Sequence, residues 1–167
     1  TTQVSILASI SMDHMQFLGK TLGSIAAHKA GIIKNNCYAI SAPQEPEAMA
    51  EIEKEAEEKG CPVTVAGEPA RVKYGLEKQR FSYRDRYGTE YRDLEITLAG
   101  RCQPENAALA VEVIAALAQA GYPVTEKQLR RGLLATEWPG RFQIIGKRPL
   151  FVLDGAHNEA AAKKLAD

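Results

Sequence analysis

The chain has 167 residues, of which 45% are hydrophobic and 25% are charged, and its 21 basic side chains balance 21 acidic ones. This composition is typical of a soluble α/β protein with one core and the start of a second. It excludes the basic surface of a nucleic-acid-binding protein, and the apolar runs are shorter than the roughly 20 residues that span a bilayer. With no secretory pattern at the N-terminus, we expect a cytoplasmic protein without nucleic-acid or membrane partners.

The first third of the chain predicts strands that alternate with helices. Thr21 is a suitable N-cap for a helix that ends at Gly31, and a second, amphipathic helix is predicted from about residue 45 to residue 59, with Pro46 in its first turn. Strands are predicted at residues 4–10, 37–41 and 62–65. This βαβα order indicates a parallel sheet covered by helices.

The middle of the chain has a different pattern. Residues 71–98 alternate in period two around Tyr87-Gly88, which predicts a half-exposed antiparallel hairpin or small sheet laid on the main sheet. Residues 106–120 have helical spacing and end at Gly121. Another helix is predicted from Thr125, with a capping box to Gln128, and we expect the two helices to pack together.

The last segment predicts a domain boundary. Trp138-Pro-Gly interrupts the helical pattern, strands are predicted at residues 142–145 and 150–153, and Asn158 begins a further helix. We therefore divide the chain into residues 1–139, part of a central domain, and residues 140–167, a hinge and the start of a C-terminal domain.

Three cysteines are widely spaced along the chain, at Cys37, Cys61 and Cys102. Their odd number and spacing suit neither a disulfide framework nor a zinc site. We expect reduced, partly buried thiols.

Four segments carry a family resemblance. The pattern Asp13-His14-Met-x-x-Leu-Gly-x-Thr is followed after seven residues by Lys29-Ala-Gly-Ile-Ile-Lys, and the later segments are residues 98–110, Trp138-Pro-Gly-Arg-Phe and Leu153-Asp-Gly-Ala-His-Asn. Together they resemble the folylpolyglutamate synthase/dihydrofolate synthase family, the folate branch of the Mur ligases. His28 and Cys102 stand where the family usually has an acidic residue and a histidine.

The resemblance implies both a fold and an activity. The fold is part of a Mur-ligase-type central ATP-binding domain, a mostly parallel sheet with flanking helices and a small antiparallel sheet, followed by the start of an α/β C-terminal domain. The activity is ATP-dependent ligation of L-glutamate to dihydropteroate or a folate through an acyl phosphate, with ATP and Mg²⁺ as cofactors, by a monomeric enzyme. The chain has no Gly-x-x-x-x-Gly-Lys-Ser/Thr loop, which lies upstream in the family. We therefore expect these 167 residues to be an inactive part of the enzyme.

The resemblance also implies a metal site near the N-terminus. In the family, the residue matching His14 is a ligand of a second Mg²⁺, and the lysine matching Lys29 is carbamylated by CO₂ and acts as a carboxylate near the metal. We therefore assign His14 to the metal and Lys29 to catalysis. Residue type alone also allows other roles: Asp13-His14 could be a strand-end cap with a core histidine, and Lys29 could be a surface lysine on a helix.

A nucleotide site is implied by later residues. By resemblance, Gln103 and Asn106 contact the nucleotide, Arg141 reaches the ATP phosphates and serves catalysis, and Asp154 and His157 hold the nucleotide from the C-terminal side. A carboxamide can donate to and accept from an adenine edge, and a guanidinium can donate two parallel hydrogen bonds to a phosphate. Gln103 and Asn106 could instead be helix-start residues, and Asp154 a turn residue.

Two other functions remain open from the sequence. A noncatalytic nucleotide-binding or interaction module derived from a Mur-type ligase would keep the same motifs as scaffold. A dinucleotide-dependent oxidoreductase shares the fold class, but no Gly-x-Gly-x-x-Gly follows any predicted strand.

Overall fold

A computed structural model describes residues 2–12, 19–157 and 159–166. The strands are β1 Val4–Leu7, β2 Tyr38–Ser41, β3 Val63–Val65, β4 Ala70–Lys73, β5 Gln79–Arg84, β6 Glu90–Ile96, β7 Gln143–Lys147 and β8 Leu150–Leu153. The helices are α1 Leu22–Ala30, α2 Pro46–Glu58, α3 Gln103–Gln119, α4 Glu126–Leu134 and α5 Glu159–Ala166. Within these described ranges, no helix combines the length and apolar character needed to cross a membrane.

The first three strands form the predicted parallel sheet, with β2 between β1 and β3. Successive residues of β2 point to opposite faces of the sheet. Ala39 packs with Ile25 of α1 and Ile52 of α2 on one face, whereas Ile40 packs with Leu109 of α3 on the other. Helices therefore cover both faces, as the strand–helix alternation predicts.

Helix α1 begins and ends where its sequence signals predict. The Thr21 hydroxyl accepts a hydrogen bond of 3.1 Å from Ser24 N, which completes a capping box, and Gly31 is the C-cap. Helix α2 meets this first turn, because Glu47 Oε1 accepts a 2.8 Å bond from Gly23 N. A Cβ at Gly23 would lie 2.9 Å from the same carboxylate oxygen. The glycine thus permits the close approach of the two helices.

Strands β4, β5 and β6 form a separate antiparallel sheet, but it is not simply laid on the parallel one. Helix α3 packs between the two sheets. Its Val111 joins Phe81 and Leu94 of the antiparallel sheet, while its Leu109 and Ala116 join the parallel sheet. This arrangement follows from the Ala-, Leu- and Val-rich sequence of α3, which is apolar on two faces. Helix α4 packs against the same antiparallel sheet and also contacts α3. The predicted packing of these two helices against each other is therefore confirmed.

The last two strands form an antiparallel hairpin, β7–β8, which is followed by α5. All four residues of β8 are exposed, so the hairpin does not share the core between the two sheets. The expected domain boundary at Pro139-Gly140 falls in the connection between α4 and this hairpin and stays a prediction.

Candidate functional site

Four of the side chains assigned to a nucleotide line one cleft. Gln103, Asn106, Arg141 and Asp154 surround a space of about 200 Å³, which we name the hinge cleft. They come from the start of α3, the connection after Pro139 and the end of β8. The other lining residues are Ala99, Gly100, Cys102, Trp138, Phe142, Ala161 and Leu165. The fold therefore brings together three segments that are far apart in the sequence.

The first turn of α3 supplies the two carboxamides. Pro104 lies in this turn, where its missing N–H has no cost, and the Cys102 N-cap makes no side-chain hydrogen bond. Asn106 Nδ2 donates a bond of 3.1 Å to Gln103 Oε1. This bond uses the acceptor of Gln103 and one donor of Asn106. The Gln103 amide nitrogen and the Asn106 carbonyl oxygen are then the groups suited to address a ligand.

Arg141 is held beside an aromatic ring. Its guanidinium carbon lies 5.5 Å from the centroid of the Trp138 ring, and its backbone N donates a 3.2 Å bond to Trp138 O. Stacking of this kind orients the planar guanidinium without using its N–H donors. Arg141 is exposed. It can therefore present a fork of donors to a phosphate that enters the hinge cleft.

Asp154 organises the backbone on the opposite wall. Its Oδ2 accepts a 2.6 Å bond from Phe142 N, and its Oδ1 accepts a 2.7 Å bond from Ala156 N. Phe142 has φ 43, in the left-handed region that is uncommon for a bulky residue. Gly155 N also donates a 2.8 Å bond to Gly140 O. Asp154 Oδ2 therefore holds the turn that carries Arg141, while Oδ1 holds the turn after β8, so the carboxylate positions both walls.

His157 is not among the residues that line the hinge cleft. Its Nδ1 lies 2.9 Å from Gly155 O, which places the ring in the turn after β8. The assignment of His157 to the nucleotide stays a prediction. Trp138 was missed as a site residue, although its position three residues before Arg141 in the Trp-Pro-Gly-Arg motif was a signal for it.

Lys29 lines a different space of about 350 Å³ at the C-terminal end of β1, with Ser9, Ile10 and Ile32 among its neighbours. It lies in the last turn of α1 and its side chain is exposed. Asp13 and His14 lie outside the described residues. In the described ranges, no three His, Cys, Asp or Glu side chains form a group that could hold a metal ion.

An apolar cleft has lining residues in common with both of these places. It has a volume of about 360 Å³ and shares Ala8 with the Lys29 space and Gln103, Asn106 and Trp138 with the hinge cleft. Its walls come from Ala8 just after β1, from β6, α3 and α4, and from the connections that follow β6 and α4. The apolar cleft thus adjoins the hinge cleft along the N-terminal half of α3, and Ala8 separates it from the Lys29 space.

The sequence matches curated proteins over nearly its whole length. It is 36% identical over 163 residues to the folylpolyglutamate synthase of Lacticaseibacillus casei, a match that covers 95% of this chain and 38% of that protein. It is 35% identical over 168 residues to the dihydrofolate synthase/folylpolyglutamate synthase of Bacillus subtilis strain 168, covering 98% and 39%. The chain thus spans about two fifths of the length of these relatives. No family model matches it.

Solved structures give the same result. The apo form of L. casei FPGS superimposes with a TM-score of 0.88 at 35% identity, covering 97% of this chain and 40% of that one. An FPGS–AMPPCP–folate complex superimposes with a TM-score of 0.91 at 35% identity and the same coverage. The resemblance to the folylpolyglutamate synthase/dihydrofolate synthase family, and the mixed α/β fold that it implies, are therefore confirmed over the part of these proteins that the chain spans.

Proposed function

We propose that this chain is part of an ATP-dependent ligase of the folylpolyglutamate synthase/dihydrofolate synthase family, which adds L-glutamate to dihydropteroate or to a folate. One observation of the structure carries the proposal. Gln103, Asn106, Arg141 and Asp154, which the family motifs assign to ATP, line the same cleft although up to 51 residues separate them. The FPGS complex with AMPPCP, an ATP analogue, and folate supports a ligand of this kind.

The reaction needs a phosphoryl transfer followed by an amide-forming step. The γ-phosphoryl group of ATP passes to a carboxylate of the pterin substrate, and the glutamate amine then displaces phosphate from the acyl phosphate. Such a reaction depends on positioning and on neutralising the charge of the phosphates. The family name of the relatives supplies folate and glutamate as the substrates to test.

Residues of this chain would take the following parts. Arg141 donates to the phosphates, oriented by Trp138, while the Asp154 carboxylate holds the turn on which Arg141 lies. Gln103 and Asn106 present a donor and an acceptor to the nucleotide from the first turn of α3. Lys29, in the separate space at the C-terminal end of β1, would serve catalysis as a carbamate that acts as a carboxylate.

Mg²⁺ is implied by the family, but the described residues do not by themselves make a site for it. Hard Mg²⁺ takes oxygen ligands in octahedral geometry, and the space around Lys29 is lined by hydrophobic residues, Ser9 and the lysine itself. The assignment of His14 to the metal stays a prediction, because His14 lies outside the described residues.

Binding of AMPPCP to the chain, measured by calorimetry, tests the nucleotide part of the proposal. Arg141→Ala removes the charged donors from the hinge cleft, and the loss of about 1 to 3 kcal/mol for hydrogen bonds to a charged group raises the Kd by about 5- to 150-fold. Arg131→Ala, on the exposed last turn of α4, is the matched control and should leave the Kd unchanged. Equal effects of the two substitutions, or no binding by the unchanged chain, would count against a nucleotide site in this cleft.

The ligase part has a separate readout. In an enzyme that carries this chain together with the upstream phosphate loop of its family, phosphate release from ATP should require both glutamate and the pterin substrate. Normal AMPPCP binding without phosphate release in the presence of both substrates would favour the noncatalytic nucleotide-binding module instead.

A further inference from the structure

Cys37 and Cys61 form a close pair inside the first core. Their Sγ atoms are 3.6 Å apart, and the residues are only 5% and 4% exposed. The register of the parallel strands β2 and β3 explains the approach. Ala39 pairs with Val63, so Cys37 and Cys61, each two residues earlier, lie side by side. The strand spacing of about 4.8 Å falls within the Cα separations of disulfides, roughly 4.4 to 6.8 Å.

We propose that Cys37 and Cys61 are a redox-active dithiol that oxidises reversibly to an intrachain disulfide. No movement of the strands is needed to bring the two sulfur atoms together, since the thiols already touch. The third cysteine, Cys102, lines the hinge cleft and has no part in the pair.

The two thiols have unequal surroundings, which divides their roles. Burial raises the pKa of Cys37, but hydrogen bonds with Ser5, the Lys34 backbone and Cys61 together bring it below its ordinary value. Burial raises the pKa of Cys61, and the neighbouring Cys37 raises it further. Because the thiolate is the nucleophile, Cys37 is the thiol that reacts first and Cys61 is the thiol that resolves the product.

Hydrogen peroxide is a sufficient oxidant. The Cys37 thiolate attacks one peroxide oxygen, the O–O bond breaks, and the leaving hydroxide takes a proton to give water and a Cys37 sulfenic acid. The Cys61 sulfur then attacks the Cys37 sulfur, the S–O bond breaks, and the departing hydroxide takes the Cys61 proton as a second water. Two thiols and one peroxide thus give one disulfide and two waters, and a dithiol reductant reverses the change.

Oxidation would also change the segment that follows α1. The Cys61 thiol donates a 2.9 Å bond to Lys34 O, and the Ser5 hydroxyl, 3.4 Å from Cys37 Sγ, donates a 3.1 Å bond to Ile32 O. Ile32 N in turn bonds Lys29 O at 3.2 Å. A disulfide has no S–H to donate, so Lys34 O loses this donor. The turn between Lys29 and Lys34 should therefore loosen on oxidation.

Peroxide treatment of the native chain, followed by alkylation, proteolysis and mass spectrometry, tests the pair. The chain has three free cysteines. We expect the free-thiol titre to fall from three to one, with a peptide pair linked through Cys37 and Cys61 that is lighter by two hydrogen atoms and is separated again by dithiothreitol. Cys102→Ser should leave the link intact, whereas Cys37→Ser and Cys61→Ser should each abolish it.

Several results would overturn the proposal. Three of them are measured on the unsubstituted chain, so they do not depend on whether a variant folds. They are full alkylation of all three thiols after peroxide treatment, a disulfide link that involves Cys102, and sulfinic acids without a link. Hydrogen exchange gives an independent readout, because peptides that cover residues 29–36 should exchange faster in the oxidised chain than in the reduced one. Unchanged exchange there would contradict the coupling to the Lys29 turn.

Discussion

The Tyr83 hydroxyl donates a 2.7 Å hydrogen bond to Glu112 Oε1 in the buried space between the antiparallel sheet and helix α3. The same hydroxyl accepts a 3.0 Å bond from Gly67 N, and the same carboxylate oxygen accepts a 3.0 Å bond from Arg86 N. Glu112 Oε2 has no hydrogen-bond partner among the residues that the structure describes. This cluster ties α3, which carries Gln103 and Asn106, to both sheets.

The hydroxyl of Tyr83 should contribute measurably to stability. Tyr83→Phe leaves the Gly67 N–H without this acceptor and removes one donor from the buried Glu112 carboxylate, at a cost of about 1 to 3 kcal/mol in the free energy of unfolding. Urea denaturation measures the difference. Tyr122→Phe is the control, because that ring is 57% exposed and its hydroxyl can be hydrated. Equal stability of both variants would show that the cluster is not a structural tie.

Glu112 should make stability depend on pH in a definite direction. Burial raises the pKa of Glu112 above the ordinary value, against the hydrogen bonds from Tyr83 and Arg86 that lower it. Below the ordinary carboxyl pKa, Glu112 is protonated in both the folded and the unfolded state. As the pH rises, the unfolded state loses its proton first, so the free energy of unfolding falls until the folded pKa is passed. The charged groups Asp85 and Arg86 face the same carboxyl.

Glu112→Gln removes this titration and keeps an oxygen that can accept both bonds. The stability of the variant relative to the unsubstituted chain should therefore increase as the pH is raised from about 4 to 8. Urea denaturation at a series of pH values measures it. Glu105→Gln, on the exposed first turn of the same helix, should show no such trend. A pH-independent difference for Glu112→Gln would mean that the folded pKa is not raised.

Asp154→Asn should weaken nucleotide binding in the hinge cleft by loosening the backbone that forms it. Asparagine has one acceptor oxygen where aspartate has two, so either Phe142 N or Ala156 N loses its partner, at a cost of about 1 to 3 kcal/mol. We expect faster hydrogen exchange at these amides together with weaker AMPPCP binding. Weaker binding with unchanged exchange would instead indicate direct contact between Asp154 and the nucleotide.

Arg141→Lys keeps the charge and loses the planar fork. In a ligase that carries this chain, kcat/KM should fall by the equivalent of about 1 to 3 kcal/mol if Arg141 donates to phosphate, because lysine cannot make the bidentate contact. Steady-state kinetics with varied ATP measure the loss, and Arg131→Lys is the control. Unchanged kinetics would identify Arg141 as a solvated residue stacked on Trp138.

Lys29→Ala tests the carbamate assignment in the same ligase. Loss of the side chain should lower turnover by roughly tenfold or more, about 1.4 kcal/mol or more in the barrier. Added short carboxylates should restore part of the activity if a carbamate supplies the missing negative charge. Lys54→Ala, which removes an exposed lysine from the middle of α2, should leave turnover unchanged. Loss of activity without carboxylate rescue would indicate an ammonium group instead.

Local sequence signals predicted most elements well. Thr21 and Thr125 begin helices because their side chains cap the N–H group three residues later, and Gly31 follows the end of α1. Period-two alternation predicted the antiparallel strands, and strand–helix alternation predicted the parallel sheet. These features depend on neighbours within a few residues. They can therefore be predicted from the chain alone.

Relationships between distant segments needed the tertiary structure. The sequence did not show that α3 packs between the two sheets, that both oxygens of Asp154 are used by backbone N–H groups, or that Cys37 lies against Cys61. Each depends on strand register or on helix packing, which no local pattern specifies. The residue types of the site were readable in the sequence, whereas the convergence of the four residues on the hinge cleft was decided by how the start of α3 lies against the segments around the β7–β8 hairpin.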